Sequence, residues 1–348
     1  MERTHRAFGR ARLICALLAP LVGGCVTGPE EDGVPLVGLI TKTEDNPFFV
    51  TMRERAVERA GELGVELRAF AGRFDGDTDA QVRAIESLLA ADATGILITP
   101  SDPAALLDAV GRTRRPGVLV IALDTPFDPP DAVDGTFATD NFRAGELIGM
   151  WARGRMGAAA ADARIATLDG AGTQVTVEVL RNQGFLEGFG IDIKDPDRMY
   201  DEDDPRIAGS AATMGTVEGG RAAMERLMRD DSGINVVYAI NEQAAAGAYD
   251  ALRALGVEDD VLVVTIDGGC EGVASVAAGE IGATAMQYPV RMASLGIEAV
   301  VEFLTTGGRP ANTPGLDFHD TGVALVTDEP VPGIPSIGTE RGMHECWG

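Results

Sequence analysis

Apolar residues along this chain fall into two alternating patterns. Short runs of β-branched and leucine residues alternate with longer segments whose apolar positions recur every three to four residues. VPLVGLIT (34–41), VELRAFA (65–71), TGILITP (94–100) and VLVIALD (118–124) are of the first kind. They predict strands, the near-continuous apolar ones buried on both faces. Between them, Phe48, Met52, Ala56, Ala60 and Leu63 keep helical spacing over 47–63, and Val82, Ile85, Leu88 and Leu89 do so over 77–91. Pro103 suits the first turn of a helix over 103–112, with Ser101 or Asp102 placed to cap it. A second series begins near Thr139. Its strands are ARIATLDG (163–170), INVVYAI (234–240), VLVVTIDG (261–268) and IGATAMQY (281–288). One helix follows LDGAGT through Phe189, and others are predicted at roughly 216–229, 242–255, 270–278 and 289–305.

This βαβα rhythm predicts an α/β fold, with parallel sheets covered by helices on both faces and right-handed crossovers. The length of 348 residues suggests about two domains. No low-complexity linker separates the two series, so the lobes are expected to be joined by strands that cross directly.

The N-terminus reads differently. Arg3, Arg6, Arg10 and Arg12 precede LICALLAPLV (13–22), an apolar stretch too short to span a bilayer. Small residues then lead to Cys25, a pattern that resembles a bacterial lipoprotein cleavage site. The expectation is a signal peptide over 1–24, a lipidated Cys25 and a flexible tether over 25–33; an ordinary secretory signal is the alternative. The formal net charge is −25, and removal of 1–24 makes it −28. Such a field repels nucleic acid and anionic lipid, which excludes both as expected partners. Cys270 and Cys346 remain as an even pair in an exported chain and are expected to form a disulfide, with two free thiols as the alternative.

In open parallel sheets, ligands bind beyond the carboxyl ends of the strands. The polar residues there are Asn46 after the first strand, Asp124 after the fourth, Asp140 at the start of the second series, Asn241 after VVYAI, Asp267 after VVTI and Gln287 after IGATAM. Arg181 falls in the helix after LDGAGT. Any one of the Asx residues is readily explained as a helix cap. Together they make a set that forks pairs of hydroxyls, and Phe48 and Phe49 beside Asn46 offer aromatic faces for C–H surface. That combination suits a sugar. DGGCEG and LDGAGT are glycine-rich without phosphate-loop spacing and read as turns where backbone approaches the cleft.

GLITKTEDNPFF, FATDN, INEQAAAGAYDAL, IDGGCEGV and IGATAMQYPVRMASLGIEAV together resemble the type I periplasmic sugar-binding proteins of ABC importers. The ribose-binding members share the NPFF and Q-x-P elements. The fructose-binding members look closer still, through DGGC, QYP and the C-terminal CWG. The resemblance spans roughly 35–348. It implies two Rossmann-like lobes joined by three crossing hinge segments. These would divide the chain into 34–138 plus 289–317, 139–288 plus 318–330, and a C-terminal tail, 331–348, packed on the lobes. It implies a monomer that takes a monosaccharide, fructose favoured, and delivers it to membrane permease subunits, with no cofactor. Carried over by motif, Asn46, Phe48, Phe49, Asp124, Arg181, Asn241, Asp267 and Gln287 would contact ligand. Lys42 and Glu44 of TKTE are further candidates, with a solvated loop pair as the alternative. Thr125 stands where ribose binders carry arginine, and only Tyr200 offers an opposing aromatic, so plain ribose is disfavoured.

Other functions find less support. His319 and His344 belong to no nucleophile or metal motif, and Cys270 has no base beside it in sequence, so no catalytic set assembles. A repressor would need a DNA-binding headpiece where this chain carries a signal. A sensor that presents ligand to a chemotaxis or kinase partner stays open, since the same fold serves both.

Overall fold

The computed structural model describes residues 33–171 and 174–348. The expected signal peptide, the lipidated Cys25 and nearly all of the tether lie outside them. Residues 34–348 form one compact unit built on two sheets.

The first series gives β1 (Leu36–Thr41), α1 (Pro47–Leu63), β2 (Glu66–Ala71), α2 (Thr78–Ala90), β3 (Gly95–Ile98), α3 (Pro103–Gly111), β4 (Leu119–Leu123) and β5 (Gly135–Ala138). The second gives α4 (Asn141–Met156), β6 (Ile165–Asp169), α5 (Thr176–Phe189), β7 (Ile207–Ala212), α6 (Val217–Asp230), β8 (Val236–Ala239), α7 (Glu242–Leu255), β9 (Leu262–Asp267), α8 (Cys270–Ala278) and β10 (Ala283–Met286). The chain then returns through α9 (Pro289–Thr306) to β11 (His319–Asp320), and crosses again to β12 (Ala324–Val326) and α10 (Thr339–Glu345).

The two sheets repeat one topology. Their orders are β11-β5-β4-β3-β1-β2 and β12-β10-β9-β8-β6-β7, parallel throughout except for the antiparallel β10–β12 pair. The strands read as continuous apolar runs because helices cover both faces: every residue of β1, β3, β4, β6, β8 and β10 is buried. Three segments cross between sheets: β5 to α4, β10 to α9, and β11 to β12.

One boundary moves. A division at 317/318 puts His319 and Asp320 in the second lobe, but they pair with Phe137 and Ala138 of β5. The third crossing therefore follows Asp320. Such a two-residue edge strand carries no pattern that a sequence reading could catch.

Close helix packing positions the second lobe's face of the cleft. On α4, a Cβ at Gly145 would lie 2.1 Å from the carbonyl oxygen of Arg181, and one at Gly149 would lie 2.1 Å from that of Phe185. On α5, Gly184 and Gly188 meet the backbone of α4 at Phe142 and Glu146 just as closely. Four glycines, spaced i, i+4 on each helix, let the two backbones touch and set the height of α5 above its sheet.

Candidate ligand site

Asn46 caps α1 by accepting from the amide of Phe48 at 2.9 Å, and Pro47 stands at the first helical position. That start places Phe48 and Phe49 in the first turn, 4% and 7% exposed. They are not an outward-facing pair: both belong to the first lobe's core, and their rings meet edge to face at 5.3 Å. The same side chains line a hollow between the lobes.

Lys42, Asn46, Phe48, Phe49, Asp124, Arg181, Asn241, Asp267 and Gln287 all line that hollow. Of the strand-end residues, Asn46, Asp124, Asn241, Asp267 and Gln287 do so from the carboxyl ends of their strands, and Asp140 does not. Sequence reasoning missed Asp75, Val177, Glu178, Gly215 and Ile240, which line it too. Val177 and Glu178 were within reach, since they sit one turn before Arg181 on α5. Asp75 comes from the β2–α2 loop and had no signal.

Two candidates fall away. Glu44 is exposed and does not line the hollow. Asp140 caps α4, accepting from the amide of Arg143 at 2.9 Å, and does not line the hollow. Tyr200 also fails as an opposing aromatic. It is 47% exposed and donates its hydroxyl to Asp169 at 3.1 Å, away from the lining. Val177 and Ile240 are the apolar side chains that the second lobe contributes to the lining.

Arg181, Gln287, Asp267, Asn141 and Asp124 form one network. Gln287 accepts at Oε1 from the Arg181 guanidinium (2.9 Å) and donates from Nε2 to Asp267 Oδ1 (3.0 Å). The flanking charges fix which way the amide points. Arg181 also donates to Asn141 Oδ1 at 2.7 Å and to the Ile240 carbonyl at 3.2 Å, and forms an ion pair at 3.5 Å with Asp124 of the first lobe. Asp124 is 4% exposed; its Oδ2 accepts from Thr125 at 3.0 Å. Its Oδ1 is buried with no hydrogen-bond partner among the described residues.

Asp124 and Asp267 both hold positive φ, +63° and +146°. Such conformations cost on the order of 1–3 kcal/mol each and cluster where a side chain must be aimed. Here each turns a carboxylate out of the sheet toward the cleft.

Behind Asp267 lies a second buried acid. Glu242 accepts from the amides of Gly268 (2.8 Å) and Gly269 (3.1 Å) and from Thr284 (3.0 Å). A Cβ on Gly272 would fall 1.8 Å from Glu242 Oε1. The glycines of DGGCEG thus cradle a carboxylate of the protein itself, rather than serving only as turns beside the cleft. Burial pushes the Asp267 carboxyl up to about 7, partly offset by Arg181, and the same burial together with Asp267 holds Glu242 well above its usual range.

The hollow is small. Measured as the space open to the centre of a water molecule, it is about 60 Å³. A sphere of that size for water centres corresponds to a hollow roughly 8 Å across. That accommodates one five- or six-membered ring and not two.

The structure joins Cys270 to Cys346 in a disulfide. Among the described residues, no helix is long and apolar enough to cross a membrane, and no group of acidic, histidine or cysteine side chains could hold a metal ion.

The pattern of the periplasmic binding protein domain family matches residues 37–309, and the chain belongs to that family. It is 28% identical over 285 residues to the ribose import binding protein of Haemophilus influenzae, covering 82% of this chain and 90% of that one. It is 26% identical over 275 residues to the D-allose-binding periplasmic protein of Escherichia coli, covering 77% and 84%. Among solved structures, a galactofuranose binding protein superposes with a TM-score of 0.74 at 21% identity, over 89% of this chain and 97% of that one. An ABC transporter solute-binding protein from Actinobacillus succinogenes with bound D-allose gives 0.71 at 22%, over 89% and 99%. These structures share the two-lobed fold. The relatives are named as binding proteins, and this chain is a binding protein rather than an enzyme.

Proposed function

We propose that this protein is the extracytoplasmic capture subunit of a sugar ABC importer, and that it binds one monosaccharide in the cleft by closure of the two lobes. The observation that carries the reading is Asp124 Oδ1, which lies in a cavity of single-ring size, buried and without a hydrogen bond although the Arg181 guanidinium of the opposite lobe stands 3.5 Å away. A buried carboxylate oxygen that makes no hydrogen bond is costly, and a sugar hydroxyl placed between it and Arg181 supplies one. Asp267 and Asn241 accept from or donate to further hydroxyls, Arg181, Lys42 and Asn46 supply donors, and Phe48 and Phe49 cover a C–H face. The relatives support a pentose or hexose. The two curated ones above are named for ribose and allose, so the preference for fructose rests on motif resemblance alone and is replaced by an open choice among neutral monosaccharides. Delivery to a membrane permease, and a lipid on Cys25 that keeps the protein at the membrane, complete the proposal.

The test is a thermal-shift screen with D-ribose, D-allose, D-fructose, D-galactose and myo-inositol. Ligand at about 100 times its Kd adds roughly 2.7 kcal/mol to native stability. For a body of this size that raises Tm by several degrees. If none of a broad set of pentoses, hexoses and polyols moved Tm, the sugar reading would fail.

A further inference from the structure

The last residues of the chain touch both lobes. Cys346 is bonded to Cys270 at the start of α8 and packs against Val273, Met286 and Val326 of the second lobe. One residue further, Trp347 is buried in the first lobe's core with Phe48, Met52 and Met292. Its ring meets Phe48 edge-on, with centroids 5.4 Å apart. Its carbonyl accepts from the amide of Cys270 at 2.9 Å, and its Nε1–H donates to the carbonyl of Gln287 at 2.9 Å. Gln287 is both the amide that links Arg181 to Asp267 and the residue at which the chain leaves β10 for the second crossing. One indole therefore stands behind a ring that lines the cleft and on the backbone of a hinge segment. Its neighbour's disulfide ties it covalently to the opposite lobe.

We propose that Trp347 is a positioning residue of the ligand site: it sets the Phe48 ring and the Gln287 backbone, and with the Cys270–Cys346 disulfide it restrains the angle between the lobes. The first half rests on the cleft as the sugar site, while the lobe-angle half stands without it.

The experiment uses the full chain as wild type, W347F, W347A and C270S/C346S. Solution X-ray scattering without ligand reads the lobe angle. Calorimetry with D-ribose, D-allose and D-fructose reads affinity. W347A and C270S/C346S are each expected to enlarge the ligand-free radius of gyration. Each should also weaken binding of whichever of these sugars the wild type takes by about tenfold, the scale of one lost aromatic contact. W347F keeps a ring against Phe48 and is expected to stay within about threefold of wild type. Circular dichroism checks that each variant folds, and if W347A does not, the disulfide variant decides. Wild-type scattering and affinity in the disulfide variant would overturn the proposal. If the wild type binds none of the three sugars, it is the ligand reading that weakens, and unchanged scattering alone overturns the restraint.

Discussion

Asp124 and Asp267 occupy nearly the same place in their lobes, Asp124 just after β4 and Asp267 at the last position of β9, and both were legible as strand-end carboxylates. Their backbone conformation was not, because nothing in a sequence marks a non-glycine residue held at φ of +63° or +146°. The conformation decides how each should be tested. Alanine at 124 would add backbone strain to the loss of the carboxylate, whereas asparagine tolerates the left-handed region. Asp124→Asn is therefore expected to weaken sugar binding by roughly 10- to 100-fold, the equivalent of one charge-assisted hydrogen bond, with little change in Tm. Calorimetry checks this, and unchanged affinity would remove Asp124 from the site. Asp267 makes a pH prediction. Its carboxyl titrates near 7 in the folded protein against 3.8 as a free side chain. Between those values the native state keeps a proton that the unfolded chain has released, so stability falls as pH rises through that window and levels above it. Asp169, also buried and pushed up to about 6, acts in the same direction. Urea denaturation at pH 5 and pH 8 should show a smaller loss for Asp267→Asn than for wild type; equal losses would mean that Asp267 is ionised throughout.

Helix α4 shows what periodicity hides. Ala144, Leu147, Ile148, Trp151 and Ala152 make a buried face, but Gly145 and Gly149 interrupt it and lower the helical signal. The same glycines explain the packing, since α4 and α5 touch backbone to backbone through paired small residues. Asn241 and Asp140 show the other limit of a sequence reading. Both cap helices, yet only Asn241 faces the cleft, because only it lies where the second sheet looks toward the first. Gly145 tests the packing argument. A methyl there must displace the backbone at Arg181, so Gly145→Ala is expected to destabilise by roughly 2–4 kcal/mol and to weaken ligand binding as α5 shifts. Gly61 of α1 has nothing within 4 Å of its Cβ position. Gly61→Ala should leave binding alone and stabilise by up to about 1 kcal/mol. Denaturation of the two variants side by side would refute the packing account if both moved the same way.

At the scale of the molecule, the two-series organisation and the placement of cleft-lining polar groups at strand ends were readable. The convergence of the two sheets came from the family resemblance rather than from any local pattern, since it depends on three crossings and on a tail packed over them. The result is a cleft whose walls already touch through one charged pair, Asp124 of the first lobe with Arg181 of the second. A bound sugar that donates to Asp124 and accepts from Arg181 joins both lobes at that point. Its binding energy is then greater in the closed arrangement than in the open one, and only such a difference shifts the population. Closure should therefore be read as a ligand-dependent fall in the radius of gyration by solution X-ray scattering, together with the rise in Tm. Arg181→Lys keeps a positive charge but loses the fork that reaches Asn141, Gln287 and the Ile240 carbonyl together. It is expected to bind weakly and to need far more sugar for the same contraction. A variant that contracted at wild-type sugar concentrations would show that the lobes close on contacts other than this pair.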